Sequence, residues 1–300
     1  MMEGTVHEPY RLAIRISECN GHPNLWTRVQ QDMIELIYTS NYIEYAGSDF
    51  DVTEKLCRQL FRGEEVTAQV EPESPDYAQA RAALIALGRP SSTEDVICSR
   101  QEIINHTNAL SYAINHVTCN NEPITEEFLK ELHKKLCSGA VLGEDAGSPG
   151  EYRSWEIAAR HGKDMKKKSV FIRASAVASY MANLVDDLRK DMLKAEAKSI
   201  DPFDMANRYC HRFVCIHPFG DGNGRMCRIL LNLLFLEYTG RMSVFGGTES
   251  ERQEYLDITR RGNQKFHEED MEVPEENKKG HHELARFTVR KSRGTLQGLL

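Results

Sequence analysis

One stretch constrains this chain more than any other: Ile216-His217-Pro218-Phe219-Gly220-Asp221-Gly222-Asn223-Gly224-Arg225-Met226-Cys227-Arg228. The next residues are Ile229-Leu230-Leu231-Asn232-Leu233-Leu234-Phe235-Leu236. A run apolar on every face predicts a buried helix, whose N-terminus opens at the glycines. Gly222 and Gly224 let the backbone take positive φ and let a ligand come close. Successive N–H groups in such a turn form an anion-binding concavity, and a helix N-terminus adds unpaired donors and partial positive charge. Arg225 and Arg228, three apart, lie on one face of the first turn and can clamp one oligophosphate. Asp221 offers a hard oxygen ligand to magnesium. His217 titrates near neutrality, which suits a general base.

Taken singly, these features are ordinary. A Gly-rich loop before a helix is often only a tight turn, and a His before Pro is usually structural. No Lys-Ser/Thr follows the glycines, so this is not a P-loop, and it fits neither the GxGxxG turn nor the EF-hand loop. The conjunction carries the weight. It resembles the signature of the Fic family, His-x-Phe-x-Asp/Glu-Gly-Asn-Gly-Arg-x-x-Arg, at every fixed position: His217, Phe219, Asp221, Gly222, Asn223, Gly224, Arg225 and Arg228. The resemblance implies an all-α fold, a Fic-type helical bundle with a small β-hairpin flap over the active site. It implies transfer of AMP from Mg-ATP to a Ser, Thr or Tyr hydroxyl of a target protein, with release of pyrophosphate. In that reading His217 deprotonates the hydroxyl and Asp221 holds Mg2+. Asn223 and Arg225 position phosphates, Arg228 takes the γ-phosphate, and Phe219 anchors the loop.

The whole chain is compatible with this. Its net charge of −7 argues against a general nucleic-acid binder. No apolar run approaches the ~20 residues that span a bilayer, and Met1 to His7 lack the form of a signal peptide. The eight cysteines are scattered with no Cys-x-x-Cys pair. Zinc is therefore not expected, and a cytoplasmic or other reducing compartment is. Cys210, Cys215 and Cys227 read as small core residues.

Residues 1–24 form an arm without sustained period. Residues 25–61 hold two helices. The first carries an apolar stripe of Trp26, Val29, Met33, Leu36 and Ile37 and is expected to run on to a stop at Gly47. Alone, Ser40 to Glu44 read as one more helical turn. The same residues also resemble the inhibitory pattern Ser/Thr-x-x-x-Glu-Gly/Asn of many Fic proteins, with Tyr45 departing from the last position. By that resemblance Ser40 and Glu44 belong to an inhibitory helix, and Glu44 pairs with Arg228 in competition with ATP. The second helix starts near Asp51 with Thr53 as candidate cap. Residues 62–95 read as a solvent-facing insertion around a short Ala-rich helix, Ala78 to Leu87.

The catalytic core is expected over 96–270. Thr125 should cap a helix bearing Leu132 and His133, the latter structural. Ser154 to Ala158 and Val170 to Ile172 read as hairpin arms around a basic tip, Lys163 to Lys168. In the Fic family a Gly-x-Tyr/Phe-Arg run, here Gly150 to Arg153, introduces the flap. The resemblance therefore docks the protein substrate at about residues 154–172 by strand addition, and Lys166, Lys167 and Lys168 suggest an acidic feature on it. Asp201 should cap the helix that delivers His217, with Pro202 at its first position. The helix after the signature should stop at Gly240. A further helix is expected over Thr248 to Gly262, and the resemblance puts Tyr255 and Asn263 around the adenine base. The charged tail, 271–300, is either a final helix or a mobile end, and a homodimer is left open. Three other readings stand beside AMP transfer: removal of AMP by way of Glu44, transfer of another phosphate-containing group, and a non-catalytic nucleotide-gated binding module. The intact His217 speaks against the last.

Overall fold

A computed structural model of the chain describes residues 23–139, 147–160, 168–270 and 272–297. Residues 1–22 of the arm and 161–167 of the hairpin tip, with Lys166 and Lys167, lie outside the described residues. The described residues build ten α-helices and one two-stranded sheet. They fall into two compact units, Met1–Pro123 with Leu132–Val141, and Ile124–Glu131 with Leu142–Leu300. Among them no helix is long and apolar enough to cross a membrane.

In the first unit, α1 (Pro23–Ile43), α2 (Phe50–Phe61) and α3 (Pro75–Ala86) all pack on α4 (Thr93–Ile114). The stripe of α1 is real, since Val29, Met33, Leu36 and Ile37 are buried. Ser92 and Asp95 close a reciprocal capping box at the start of α4. The cap of α2 is Asp49, which accepts from the Val52 N–H at 2.9 Å. Thr53 lies within the first turn and donates its hydroxyl to the Asp49 carbonyl. α3 begins at Pro75, earlier than Ala78, because Ser74 caps it and Pro75 suits the first turn.

The stretch 62–95 is more than a solvent-facing insertion. Ala80, Ala83 and Leu84 are buried, and Arg89, just past α3, donates to the carbonyls of Ala46 and Gly47 at 3.0 and 2.9 Å. Glu102 of α4 accepts from the Gly47 N–H at 2.7 Å. Together these contacts pin the chain leaving α1.

That helix stops at Ile43, short of Gly47. The Ala46 N–H bonds to the Asn41 carbonyl and the Tyr45 N–H to that of Tyr42, and Tyr45 is left-handed with φ 55°. This is a Schellman end with Tyr45 at the position that glycine or asparagine fills most easily. The departure of Tyr45 from the Gly/Asn pattern therefore has a physical meaning: a bulky side chain sits where a Cβ is disfavoured. Gly47 has a different task. With φ 65° it folds back until an added Cβ would lie 2.9 Å from the Asn41 amide.

In the second unit, α7 (Pro202–Ile216) and α8 (Asn223–Thr239) pack along each other, and α6 (Val177–Glu196), α9 (Glu249–Glu269) and α10 (His282–Gln297) pack on α7. Asp201 caps α7, accepting from the Phe203 N–H at 2.8 Å. α8 ends at a left-handed Gly240. α9 runs through Gly262 to Glu269 instead of stopping there. Gly262 is interior because the His211 ring occupies the place of its missing Cβ, 3.1 Å away. The tail is a packed helix: Leu284 and Phe287 are buried, and Thr288 donates to Asn207 of α7 at 2.9 Å. α5 (Glu126–Cys137) carries Thr125 as its cap, and His133 is buried against Cys137.

The hairpin pairs β1 (Ala158–Arg160) with β2 (Lys168–Val170), antiparallel, Ala158 opposite Val170. The strands lie nearer the tip than the arms read from sequence. The carbonyls of Trp155 and Ile172, inside those arms, are taken by Arg153, so they are not available to a ladder.

The Schellman geometry makes a prediction. Tyr45→Gly will be more stable than Tyr45→Ala by about 1 kcal/mol, as read by chemical denaturation. Equal stability of the two would show that the left-handed backbone at this position costs nothing.

Candidate active site

α7 delivers His217 in an unusual posture. The residue caps the helix with φ 54° and ψ 61°, and its N–H still bonds the Phe213 carbonyl. Its Nδ1 lies 3.1 Å from the Val214 carbonyl. A carbonyl only accepts, so Nδ1 carries the hydrogen, and in the neutral ring the lone pair sits on Nε2. Phe171 stacks on the imidazole at 3.8 Å with planes 16° apart. Ring orientation and tautomer are thus both set by the fold.

The loop that follows is closed on itself. The Phe219 N–H donates to Asn223 Oδ1 at 3.0 Å, and Asn223 Nδ2 donates back to the Phe219 carbonyl at 2.7 Å. Phe219 is fully buried, against Tyr152 and Phe213. Gly222 takes φ 73°, and α8 starts with no side chain capping its first N–H groups. In this arrangement the amide of Asn223 shapes the loop from within.

Arg225 is buried and its Nη2 lies 3.6 Å from Asp221 Oδ2, while the Asp221 side chain is 58% exposed. The Nε of Arg225 is buried with no hydrogen-bond partner. Leaving such a donor unsatisfied costs on the order of 1–3 kcal/mol, and an anion in the loop would satisfy it. An exposed carboxylate beside that anion is the donor type that magnesium takes. The residues present therefore fit a metal-bound oligophosphate, with Asp221 as the metal ligand. Arg228, only 1% exposed, is the largest fully buried side chain. Its guanidinium lies 5.6 Å from the ring centre of Tyr255.

Tyr255 is itself buried, clustered with Phe245 and Phe287 at 5.0 and 6.3 Å. Burial drives its phenol well above its ordinary pKa, so it stays neutral beside Arg228. Asn263 donates to the Val170 carbonyl at 3.1 Å, and His267, one turn on, reaches the same oxygen at 2.7 Å. Seven of the expected site residues, His217, Asp221, Gly222, Asn223, Gly224, Arg225 and Arg228, thus form one loop and helix start. Tyr255 adjoins Arg228, and Asn263 anchors the base of the hairpin. Ser40, fully buried, and Glu44, exposed, lie at the C-terminal end of α1 in the other unit.

Arg153 is the residue whose role sequence reasoning missed. It is 2% exposed. Its Nε donates to the His217 carbonyl at 2.8 Å and its Nη1 to that of Trp155 at 2.9 Å. Nη2 donates to Ile172 and, at 3.3 Å, to Ile216. Its own N–H bonds the Pro218 carbonyl at 2.9 Å. One guanidinium thereby joins both ends of the hairpin to the segment that presents His217. Gly150 to Arg153 was legible as a motif, but nothing in it showed that the arginine turns to carbonyls. Phe171 and His267 were hidden likewise, one as an ordinary strand aromatic, the other beyond the expected end of its helix. Arg153→Ala will destabilise the protein by about 2–4 kcal/mol, since several buried carbonyls lose their donors, and Arg153→Lys will recover only a minor part because it lacks the fork. Full recovery by Lys in a denaturation experiment would refute the bridging role.

Residues 123–235 match the model of the Fic/DOC family. The chain is 25% identical over 147 residues to a protein adenylyltransferase Fic of Nematostella vectensis, covering 47% of this chain and 29% of that protein. It is 35% identical over 91 residues to a Fido domain-containing protein of Dictyostelium discoideum, covering 30% and 57%. The chain therefore spans less than two thirds of these relatives. Its fold resembles that of a Fic domain containing signaling protein from Bacteroides thetaiotaomicron, with TM-score 0.64, 19% identity, and 95% and 93% of the two chains covered. It also resembles that of Fic-1 from C. elegans, with TM-score 0.61, 17% identity, and coverage of 96% and 71%. Residues 123–235, which contain the signature loop closed around Phe219 and Asn223, thus match the Fic/DOC family, and the fold around them resembles that of solved Fic proteins.

Proposed function

We propose that this chain transfers AMP from Mg-ATP to a Ser, Thr or Tyr hydroxyl of a protein. The observation that carries the reading is the fixed tautomer of His217 immediately before an anion-ready loop. With Nδ1 committed to Val214, Nε2 is the atom that accepts the proton of the incoming hydroxyl. The hydroxyl oxygen forms a bond to the α-phosphorus, the bond from that phosphorus to the bridging oxygen breaks, and pyrophosphate leaves. Arg225, through its unsatisfied Nε, and the first N–H groups of α8 hold the phosphates in line. Asp221 would hold a magnesium ion, which when bound would supply charge neutralisation for the pyrophosphate. Arg228 receives the γ-phosphate, and Tyr255 beside it keeps that guanidinium in place. The family resemblance puts Tyr255 and Asn263 around the adenine base, and this reading keeps that assignment. The curated relative from Nematostella bears the name of a protein adenylyltransferase, which supports this reading at the family level.

In the same reading Glu44 restrains the enzyme. The guanidinium of Arg228 is buried, and a carboxylate is an anion that such a fork can hold through charge-assisted hydrogen bonds. The Glu44 carboxylate and the γ-phosphate compete for that position. The hairpin acts as a flap that receives a target segment by strand addition.

Incubating Glu44→Gly with Mg-ATP will add one or more AMP masses to the protein, read by intact-mass spectrometry, while the unaltered chain gains little. Adding His217→Ala will lower the rate by about 10²–10⁴-fold, the usual contribution of a general base. A phosphate-sized gain would rule out AMP transfer, and equal rates with and without Glu44 would rule out the restraint.

A further inference from the structure

The basic residues near the C-terminus take no part in the function described so far. In the folded unit, several of them converge with residues of α9 on a cavity of about 640 Å³. Arg261 and Lys265, one turn apart on α9, form one wall. Lys279, His282, Glu283 and Arg286, from α10 and the turn before it, form the other. Four cations thus face one carboxylate in a chain whose net charge is −7.

The carboxylate is already engaged. Glu283 accepts from Arg261 through both oxygens, one of the bonds at 3.0 Å. Its carboxyl is held below its ordinary pKa chiefly by that arginine, with Arg286 and Lys265 adding to the effect. Other basic side chains of the region are matched elsewhere: Lys278 with Glu275 and Asp270, Arg290 with Glu254, and Lys291 with Glu251. Lys265, Lys279 and Arg286 make no ion pair among the described residues. They are left with charge to spare around one concavity.

Gly262 and Gly280 line the floor of the cavity, where their lack of a Cβ makes room for the ring of His211 beneath, 3.1 and 2.8 Å from where a Cβ would stand. That ring is buried and bonded to the Gly262 carbonyl, and burial lowers its pKa to about 4, so it adds no charge. The Lys279 and Gly280 N–H groups are taken by Glu269. Selectivity therefore falls to the four long side chains.

We propose that this cavity binds an oligophosphate, at a site separate from the signature loop. Phosphate oxygens suit both the arginine fork and the lysine point charge, and the volume is within the range of small-ligand pockets. A cation is the rival occupant, because Asp204, His281 and His282 bring three ligand atoms within 4.8 Å of one another. The surroundings oppose it. Arg208 bonds Asp204 at 3.3 Å, and burial, then His281, and then Lys279 and Arg286 disfavour positive charge at His282 against the pull of Asp204.

The test is calorimetric titration with sodium tripolyphosphate of the full chain, of Lys265→Ala/Lys279→Ala, and of Arg225→Ala. The full chain should show two binding events. The lysine pair should weaken one of them at least tenfold and leave the other, and Arg225→Ala should do the reverse. The amide resonances of Gly262 and Gly280 in the unaltered chain should move on titration, a readout that needs no variant. A single event lost with Arg225→Ala, no change in the lysine variant, or still glycine resonances would each overturn the proposal. So would uptake of Zn2+ at the Asp204 group with no tripolyphosphate bound.

Discussion

The geometry around His217 depends on one buried arginine that faces carbonyls instead of a carboxylate. α7 ends by turning left-handed at His217, which leaves the last carbonyls of the helix, Ile216 and His217 among them, without helical partners. Arg153 supplies the donors. Its positive charge also lies at the negative end of the helix dipole, where a cation is favoured. The same side chain closes the base of the hairpin through Trp155 and Ile172. The presentation of the imidazole and the root of the hairpin are therefore one structural problem with one solution.

Charge in the interior is handled differently at the two signature arginines. Arg225 keeps an exposed acid at 3.6 Å and an unsatisfied Nε. Arg228 is buried, with its guanidinium beside the neutral ring of Tyr255. A guanidinium cannot shed its proton to escape such a place. A fold that keeps two of them near a helix N-terminus has already met the desolvation cost that binding a phosphate chain would otherwise incur.

Much of this was legible from the residues. The apolar run after Arg228 and the glycines before it marked the buried helix and its start, because such patterns have few other solutions. Asp201-Pro202, Thr125 and Gly240 marked helix ends by local chemistry alone. What failed was decided by distant partners. Gly262 looked like a stop until His211 filled the space beside it. Thr53 looked like a cap, but Asp49 lay better placed two residues before the predicted start. The strands shifted toward the tip because Arg153 claimed carbonyls of the expected arms. Arg153 and His267 work through backbone oxygens, which carry no sequence signal, so no pattern of side chains could have revealed them.

The Val170 carbonyl has a consequence for the hairpin. A carbonyl oxygen has two lone pairs, and here Asn263 and His267 of α9 address both. At that end of β2 the acceptor that a neighbouring strand would need is spent. The two strands are thus unequal: β2 is moored by its own backbone to α9, the helix that also carries Tyr255, whereas β1 takes no part in that bond.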